Sequence, residues 1–164
     1  MTDQALMERI IAFRAKPENQ SPHGKFLGLE IMDVDEAEAT VKIPYSKDLA
    51  GNSATGILHG GIVTTALDAA SGLAVIATFE RAITIATLDL RIDYLKPATP
   101  GEVIFAYGHC YKTTRNVCFV RGLAYQKDKS DPIANSTATF MITANHTGKK
   151  DDQLRTDEAT GAKL

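Results

Sequence analysis

Residues 60–79 read GGIVTTALDAASGLAVIATF, and across that stretch the one charged residue is Asp68. Apolar residues occupy most of the circumference when the segment is wound as a helix. A helix apolar nearly all round is one enclosed on several sides. The stretch is therefore expected to be the single long, buried helix of the domain. What surrounds it must supply the enclosure.

Upstream, the period changes to two. Ala37, Ala39, Val41 and Ile43 alternate with Glu38, Thr40 and Lys42, the pattern of a half-buried strand, with residues 29–34 as its hairpin partner. Residues 44–58 form a long connection holding Gly51 and Gly56, and long connections inside small domains are often functional. Downstream, four strands are predicted at about 82–95, 102–113, 116–127 and 131–143. In the first, Leu88, Leu90, Ile92 and Tyr94 are expected on one face and Thr87, Asp89, Arg91 and Asp93 on the other. In the last, Ala134, Ser136, Ala138, Phe140 and Ile142 oppose Asn135, Thr137, Thr139 and Met141. The connections between them are short, which joins antiparallel neighbours and leaves no room for crossovers. Helix and strands are segregated, so the fold class is α+β, with a curved antiparallel sheet over one central helix.

At the N-terminus, Leu6, Met7, Ile10, Ile11 and Arg14 recur at three-to-four spacing, predicting a further helix over 3–15, stopped by Pro17. Residues 17–28, rich in Pro, Asn, Ser and Gly, read as a loop. The chain thus divides into a helix and loop over 1–24, the main domain over 25–144 and a polar tail over 145–164.

At 164 residues, 44% hydrophobic and 23% charged, the composition matches a single globular domain and excludes collagen-like and disulfide-scaffold classes. A net charge of −2 argues against a nucleic-acid-binding surface but leaves anionic small ligands open. No uninterrupted apolar run reaches the roughly 18 residues of a membrane span, and the acidic N-terminus does not read as a secretory signal. Cys110 and Cys118 match no zinc spacing and read as free thiols, and no metal cluster is expected. The final Ala162-Lys163-Leu164 resembles a peroxisomal address, but three residues without other support are set aside for a cytoplasmic expectation.

Two features carry chemistry. A lone carboxylate in an enclosed helix is costly unless it has a purpose or a partner. Thr64, Thr65, Asp68, Ser71 and Gly72 fall at three-to-four spacing and form one polar seam that could line a cleft or a subunit interface. At the start of the same helix, Leu58-His59-Gly60-Gly61 offers unpaired N–H groups and the positive end of the helix dipole, with glycines that permit close approach. Such donors can stabilise charge developing on a carbonyl oxygen. The bland alternatives are a solvated Asp68 and glycines that only make the turn. One helix cannot bring both features to one substrate atom, since the intervening residues span about 13–14 Å. Two antiparallel copies across a two-fold axis would.

These residues resemble a known family. Asn52, the run Gly56-Ile57-Leu58-His59-Gly60-Gly61, Asp68, then Thr87-Leu88-Asp89-Leu90 and Tyr94-Leu95-Lys96-Pro97-Ala98 are similar to the hotdog-fold thioesterases, nearest to the phenylacetate-pathway (PaaI-like) branch, over about residues 25–143. The resemblance implies a long helix wrapped by a curved sheet, dimers with continuous sheets commonly paired into tetramers, and hydrolysis of acyl-coenzyme A thioesters. It implies Asp68 as general base or nucleophile, Gly60 as backbone donor to the thioester oxygen with His59 beside it, Asn52 as a positioning group, and Thr87 near the water. Gly61, Thr64 and Leu67 would line the substrate site, with Leu73–Ile76 near the acyl group. Arg91, Lys96 and Arg115, with Lys112 and Arg121 as further candidates, would meet the coenzyme A phosphates. No cofactor is implied beyond the coenzyme A of the substrate, and neither nucleic acid nor membrane is an expected partner. Two readings stand beside hydrolysis. A hotdog dehydratase would need an acid just after His59, which is absent. A non-catalytic acyl-CoA-binding module would gain nothing from Asp68 facing an anionic ligand.

Overall fold

The computed structural model describes residues 4–15, 21–79 and 83–145. Helix α1 spans Gln4–Ala15 and α2 spans Pro22–Leu27. Strands β1 (Glu30–Asp35) and β2 (Glu38–Ile43) form a hairpin, and a long connection leads to α3 (Gly60–Ala77). Strands β3 (Ile83–Tyr94), β4 (Ile104–Thr113), β5 (Val117–Tyr125) and β6 (Ala134–Asn145) complete one antiparallel sheet of order β1-β2-β4-β5-β6-β3. The expected α+β class and the curved sheet over one helix are found. The tail from 146 and the break at Pro17 lie outside the described residues.

The apolar character of α3 is explained by its position. By length and composition it would pass for a membrane span, but Val63, Ala66, Leu67, Ala70, Leu73, Ala74, Val75 and Ala77 are buried against the sheet. They meet Ala39, Val41 and Ile43 of β2, Ile104 and Ala106 of β4, Val120 and Ala124 of β5, and Ala134, Ala138 and Phe140 of β6, which share one core. On β6 the expected alternation holds, with Ala134, Ser136, Ala138 and Phe140 buried and Asn135, Thr137 and Met141 exposed. Both cysteines are free and buried under the sheet, and burial together with the neighbouring Cys110 pushes the Cys118 thiol up to about 11.

The helix reaches the sheet this closely because Gly108 lies beneath it. A Cβ at 108 would stand 2.8 Å from the carbonyl oxygen of Ala70 and 2.9 Å from the amide nitrogen of Ser71. Both are backbone atoms and cannot turn aside. Gly108→Ala is expected to cost about 1–3 kcal/mol, since an overfilled core forces its neighbours apart. Urea unfolding reads this as a lower midpoint at unchanged slope.

Four expectations need correction. Residues 22–27 are not loop but a short helix. The Ser21 hydroxyl accepts the Gly24 N–H at 3.2 Å, Pro22 begins the helix, and Gly28 at φ 65° ends it. Ser-Pro before and Gly after are the start and stop signals of a helix, compressed into a segment too short to show a period. Ala37 is not a strand residue but a turn residue at φ 61°, with Asp35 Oδ1 accepting the Glu36 N–H beside it. Ser71 does not join the polar seam. It is completely buried, and its hydroxyl has no hydrogen-bond partner among the described residues. On β3, one continuous alternation does not hold. Thr87 pairs with Phe140 and Asp89 with Thr139, so Leu88 is an extra residue, 53% exposed. A bulge shifts the parity of every later side chain by one. Thr87 therefore faces the helix together with Ile85, Leu90 and Ile92, opposite to the face first expected.

Of the expected α1 stripe, Ile10 is buried at 4%, while the side chains of Leu6, Met7, Ile11 and Arg14 lie outside the described residues. The Arg9 guanidinium donates to the Phe79 carbonyl at 3.0 Å, just past the C-terminus of α3, where the helix dipole favours a cation.

Candidate active site

The connection before α3 is a closed loop. Ala50 and Leu58 form a bridge, the Gly51 N–H donates to the Ile57 carbonyl, and the His59 N–H donates to the Leu49 carbonyl, both at 2.9 Å. Asn52 serves this loop. Its Oδ1 accepts from the Ala54 and Thr55 amides at 2.9 and 3.3 Å, so that oxygen makes the turn. The loop delivers His59 to the N-cap of α3.

His59 Nδ1 accepts the Gly61 N–H at 2.9 Å, in the role an Asn or Ser usually fills. The bond assigns the ring proton to Nε2. Gly61 suits this cap, because a Cβ at 61 would stand 2.9 Å from that nitrogen and the ring would have to shift. His59→Ala removes the acceptor and is expected to cost about 1 kcal/mol, while His59→Asn, which keeps one, should retain most of it. Comparison of the two variants by urea unfolding checks the ordering.

The first turn is also held from β3. Tyr94 Oη donates to the Gly60 carbonyl at 2.9 Å and lies 2.8 Å from Thr64 Oγ1, which itself stands 3.3 Å from the same carbonyl. Gly60 leaves room for this phenol, since a Cβ would come to 3.3 Å of Tyr94 Oη. Among the described residues the Gly60 N–H has no acceptor. Two turns along, Thr87 Oγ1 donates to Asp68 Oδ1 at 2.9 Å, and Asp68 is half-buried on the open side of the helix. β3 thus grips α3 at two points: Tyr94 at the helix start and Thr87 at Asp68. Eight residues separate Gly60 from Asp68, about 12 Å along the axis.

A cleft of about 290 Å³ opens beside Gly60, lined mainly by Ile57, Val63, Tyr94, Leu95, Pro97 and Ile133, with Lys96 also on its wall. Leu67 is not on it. Leu67 is fully buried, with its side chain toward Gly122 of β5, and Leu73, Ala74 and Val75 are core residues too, so this cleft is built from other side chains than those expected. Gly61 and Thr64 are half-buried on α3 and do not line it. Lys96 pairs with Asp131, and Arg91 pairs with Asp93 at 3.2 Å in an exposed position. Arg115 is exposed in the β4–β5 turn, whose Asn116 carbonyl accepts from Ile142, whereas Leu95 beside Lys96 bonds Ile133. Arg115 and Lys96 therefore sit at opposite ends of β6. Lys112 is exposed, and the Arg121 guanidinium lies 4.7 Å over the Tyr111 ring.

The arrangement joins a free backbone donor at a helix N-terminus to an apolar cleft, with a carboxylate further along the same helix. Residues 55–133, which hold all of these parts, match the model of the thioesterase superfamily. A medium/long-chain acyl-CoA thioesterase of Salmonella typhimurium, YigI, is 33% identical over 134 residues, 74% of this chain and 85% of that protein. The chain belongs to the thioesterase superfamily. It is accordingly a thioester hydrolase. The YigI protein of Escherichia coli K12 is 31% identical over the same lengths. Among solved structures, a Pseudomonas aeruginosa protein superposes with a TM-score of 0.72 at 38% identity, covering 83% of this chain and 98% of that one. The Escherichia coli PaaI protein from the phenylacetic acid degradation operon superposes at 0.74 with 16% identity over 88% of this chain and 98% of its own, a likeness of fold.

Sequence reading overlooked Tyr94 as a site residue and counted it among the apolar positions of its strand. The available signal was a tyrosine closing a strand next to the Leu-Lys-Pro-Ala turn, but its partner is a backbone carbonyl, which no sequence pattern marks.

Proposed function

We propose that this thioesterase hydrolyses acyl-coenzyme A to the free acid and coenzyme A. The observation that carries the reading is the free Gly60 N–H, which lies at the start of α3 beside an apolar cleft. In the proposed reaction the thioester carbonyl lies against this N–H and the positive end of the helix dipole. Asp68, oriented by Thr87, takes a proton from water as the water oxygen attacks the carbonyl carbon. The tetrahedral oxyanion collapses, the C–S bond breaks, and coenzyme A leaves as the thiolate. Alternatively, an Asp68 carboxylate oxygen attacks the carbonyl carbon, the C–S bond breaks with coenzyme A leaving as the thiolate, and water then cleaves the resulting mixed anhydride to the free acid and the Asp68 carboxylate. A thioester is electrophilic enough to need one polariser and one oriented water, and neither route calls on a cofactor.

Gly60 and Asp68 of one chain are too far apart to share an atom. A dimer resolves this. Among the described residues β3 is an edge strand, paired with β6 on one side and with Leu88 exposed, and long edge strands of this kind are normally covered. Pairing β3 with its two-fold mate reverses its direction. The Gly60, Tyr94 and Lys96 end of one protomer then lies toward the Asp68 and Arg115 end of the other, so each site is composite. The same reading takes Lys96, Arg91 and Arg115 as the cations that meet the coenzyme A phosphates, allows a tetramer built from two such dimers, and places the enzyme in the cytoplasm, where coenzyme A esters are made and consumed.

An apolar cleft of about 290 Å³ suits an alkyl chain, and the name of the Salmonella relative favours medium or long chains over aryl-acetyl groups. The test is release of free thiol from a panel of acyl-CoA esters: straight chains from short to long, phenylacetyl, hydroxyphenylacetyl and benzoyl. Turnover that peaks at medium or long chains supports the assignment, and a peak at aryl-acetyl esters redirects it. Tight binding without turnover of any ester would overturn hydrolysis in favour of an acyl-CoA-binding module.

A further inference from the structure

The Gly60–Gly61 peptide joins the two least constrained residue types a chain can place in sequence, because neither carries a Cβ. A donor built on such a pair needs outside restraint to keep one direction. Here the peptide is held on both sides. Its carbonyl accepts from Tyr94 Oη at 2.9 Å, and its N–H donates to His59 Nδ1 at 2.9 Å. The two restraints come from different elements, β3 and the loop before α3. Thr64 Oγ1, 2.8 Å from the phenol oxygen, fixes the phenol in turn. Tyr94 is 54% exposed and its ring lines the cleft, so its hydroxyl sits at the site itself.

We infer that Tyr94 is a positioning residue for hydrolysis: with His59 it clamps the Gly60–Gly61 peptide and so sets the direction of the Gly60 N–H toward the substrate carbonyl. This rests on the proposed role of that N–H. The clamp matters because a donor lowers a barrier only when it is aimed in advance at the developing oxyanion. Displacement of a positioned group by about 1 Å is enough to cost on the order of 100-fold in rate. Tyr94 makes no bond to reacting atoms. Its hydroxyl acts on the peptide that follows the donor, and the donor direction is set through the shared Gly60 Cα.

Tyr94→Phe tests the inference, because it keeps the ring on the cleft wall and deletes one oxygen. The expected result is a fall in kcat of about 10- to 100-fold with KM within a few-fold of wild type, since aim and not binding is lost. Faster amide hydrogen exchange at Gly61, and at Val63 to Thr65 in the first turns, is expected in the substrate-free protein. A variant with unchanged kcat beside an active wild type overturns the inference and leaves hydrolysis standing. A variant whose KM rises while kcat holds also overturns it, by making Tyr94 a binding wall. Unchanged exchange at Gly61 with lowered kcat overturns the clamp and reassigns the hydroxyl to direct contact with substrate. Failure of the wild type to turn over any ester is a separate outcome, which removes the parent reading. Thr64→Val supplies the second variant: it removes the hydroxyl that steadies the phenol, and a smaller fall in kcat of the same kind is expected.

Discussion

Asp68→Asn is expected to lower kcat for the best acyl-CoA ester by about 10²–10⁴-fold, the usual contribution of a general base, with KM near that of wild type. The separation of kcat from KM follows from the site. The carboxylate accepts from Thr87 Oγ1 at 2.9 Å, and Asn can offer its Oδ1 to the same hydroxyl. The substitution keeps shape and that bond, and removes only the basicity. Fold and binding therefore survive, which urea unfolding and titration with a non-hydrolysable thioether analogue check. A loss of activity that tracked a loss of folding would remove the assignment. Thr87→Ala should give a smaller fall, about tenfold, because it frees the carboxylate to rotate without changing its chemistry. Single turnover in ¹⁸O-labelled water separates the two routes, since label found in the Asp68 carboxyl requires attack by Asp68 itself.

Two inactive variants are expected to restore activity to each other. Gly60→Pro deletes the N–H donor at a place where proline suits the backbone: it opens α3, and His59 before it lies at φ −61°, ψ 135°, the region favoured ahead of proline. The proline Cβ meets Tyr94 Oη at 3.3 Å, a side-chain tip that can give by a few tenths of an ångström. Alone, this variant should lose about 10²–10³-fold in kcat, as does removal of an oxyanion donor elsewhere. Co-expressed with Asp68→Asn under a second affinity tag, it yields mixed dimers. A composite site in such a dimer pairs the intact Asp68 of one protomer with the intact Gly60 of the other. One of the two sites is whole, so a two-fold dimer purified through both tags should turn over at about half the wild-type rate. If each site were built within one chain, the mixed dimer would be as inactive as its parents. The experiment thus reads the composite site directly, through a rate that no single variant can produce. The exposed Leu88 and the edge position of β3 among the described strands make this edge the surface on which the pairing would form.

The distance between Gly60 and Asp68 has a physical origin. A helix N-terminus carries its donors at one end and cannot move them, while a carboxylate close to that end would be drawn into the donors as a cap. Placing Asp68 two turns away and giving it to Thr87 keeps both groups unspent. The bulge at Leu88 is what allows this. Without the extra residue, Thr87 and Tyr94 would lie on opposite faces of β3, because seven residues apart is an odd interval in a period of two. With it, both side chains reach α3.

Much of this protein was legible in its sequence. The twenty residues from Gly60, with one charge among them, marked an enclosed helix because apolar surface on every side has to be covered on every side. The alternation in β2 and β6 assigned their inner faces correctly, since a strand between core and solvent must sort its side chains by two. The same logic singled out Asp68 and the glycines at the helix start. What only the tertiary structure decided concerns backbone partners and register. Ser71 looked like part of a polar seam, but the curvature of the sheet covers it, and curvature is not written in any one segment. Leu67 looked available to a substrate, but it lies in the core beneath β5. A bulge adds one residue to one strand and is visible only against the partner strand, so the face of Thr87 followed from β6 rather than from β3. Tyr94 met a carbonyl and His59 an amide, groups that every residue carries and that no pattern distinguishes. Local periodicity determined which surfaces are buried; the partners of the polar groups depended on long-range contacts, because a hydrogen bond needs positions accurate to a few tenths of an ångström that only the packed whole supplies.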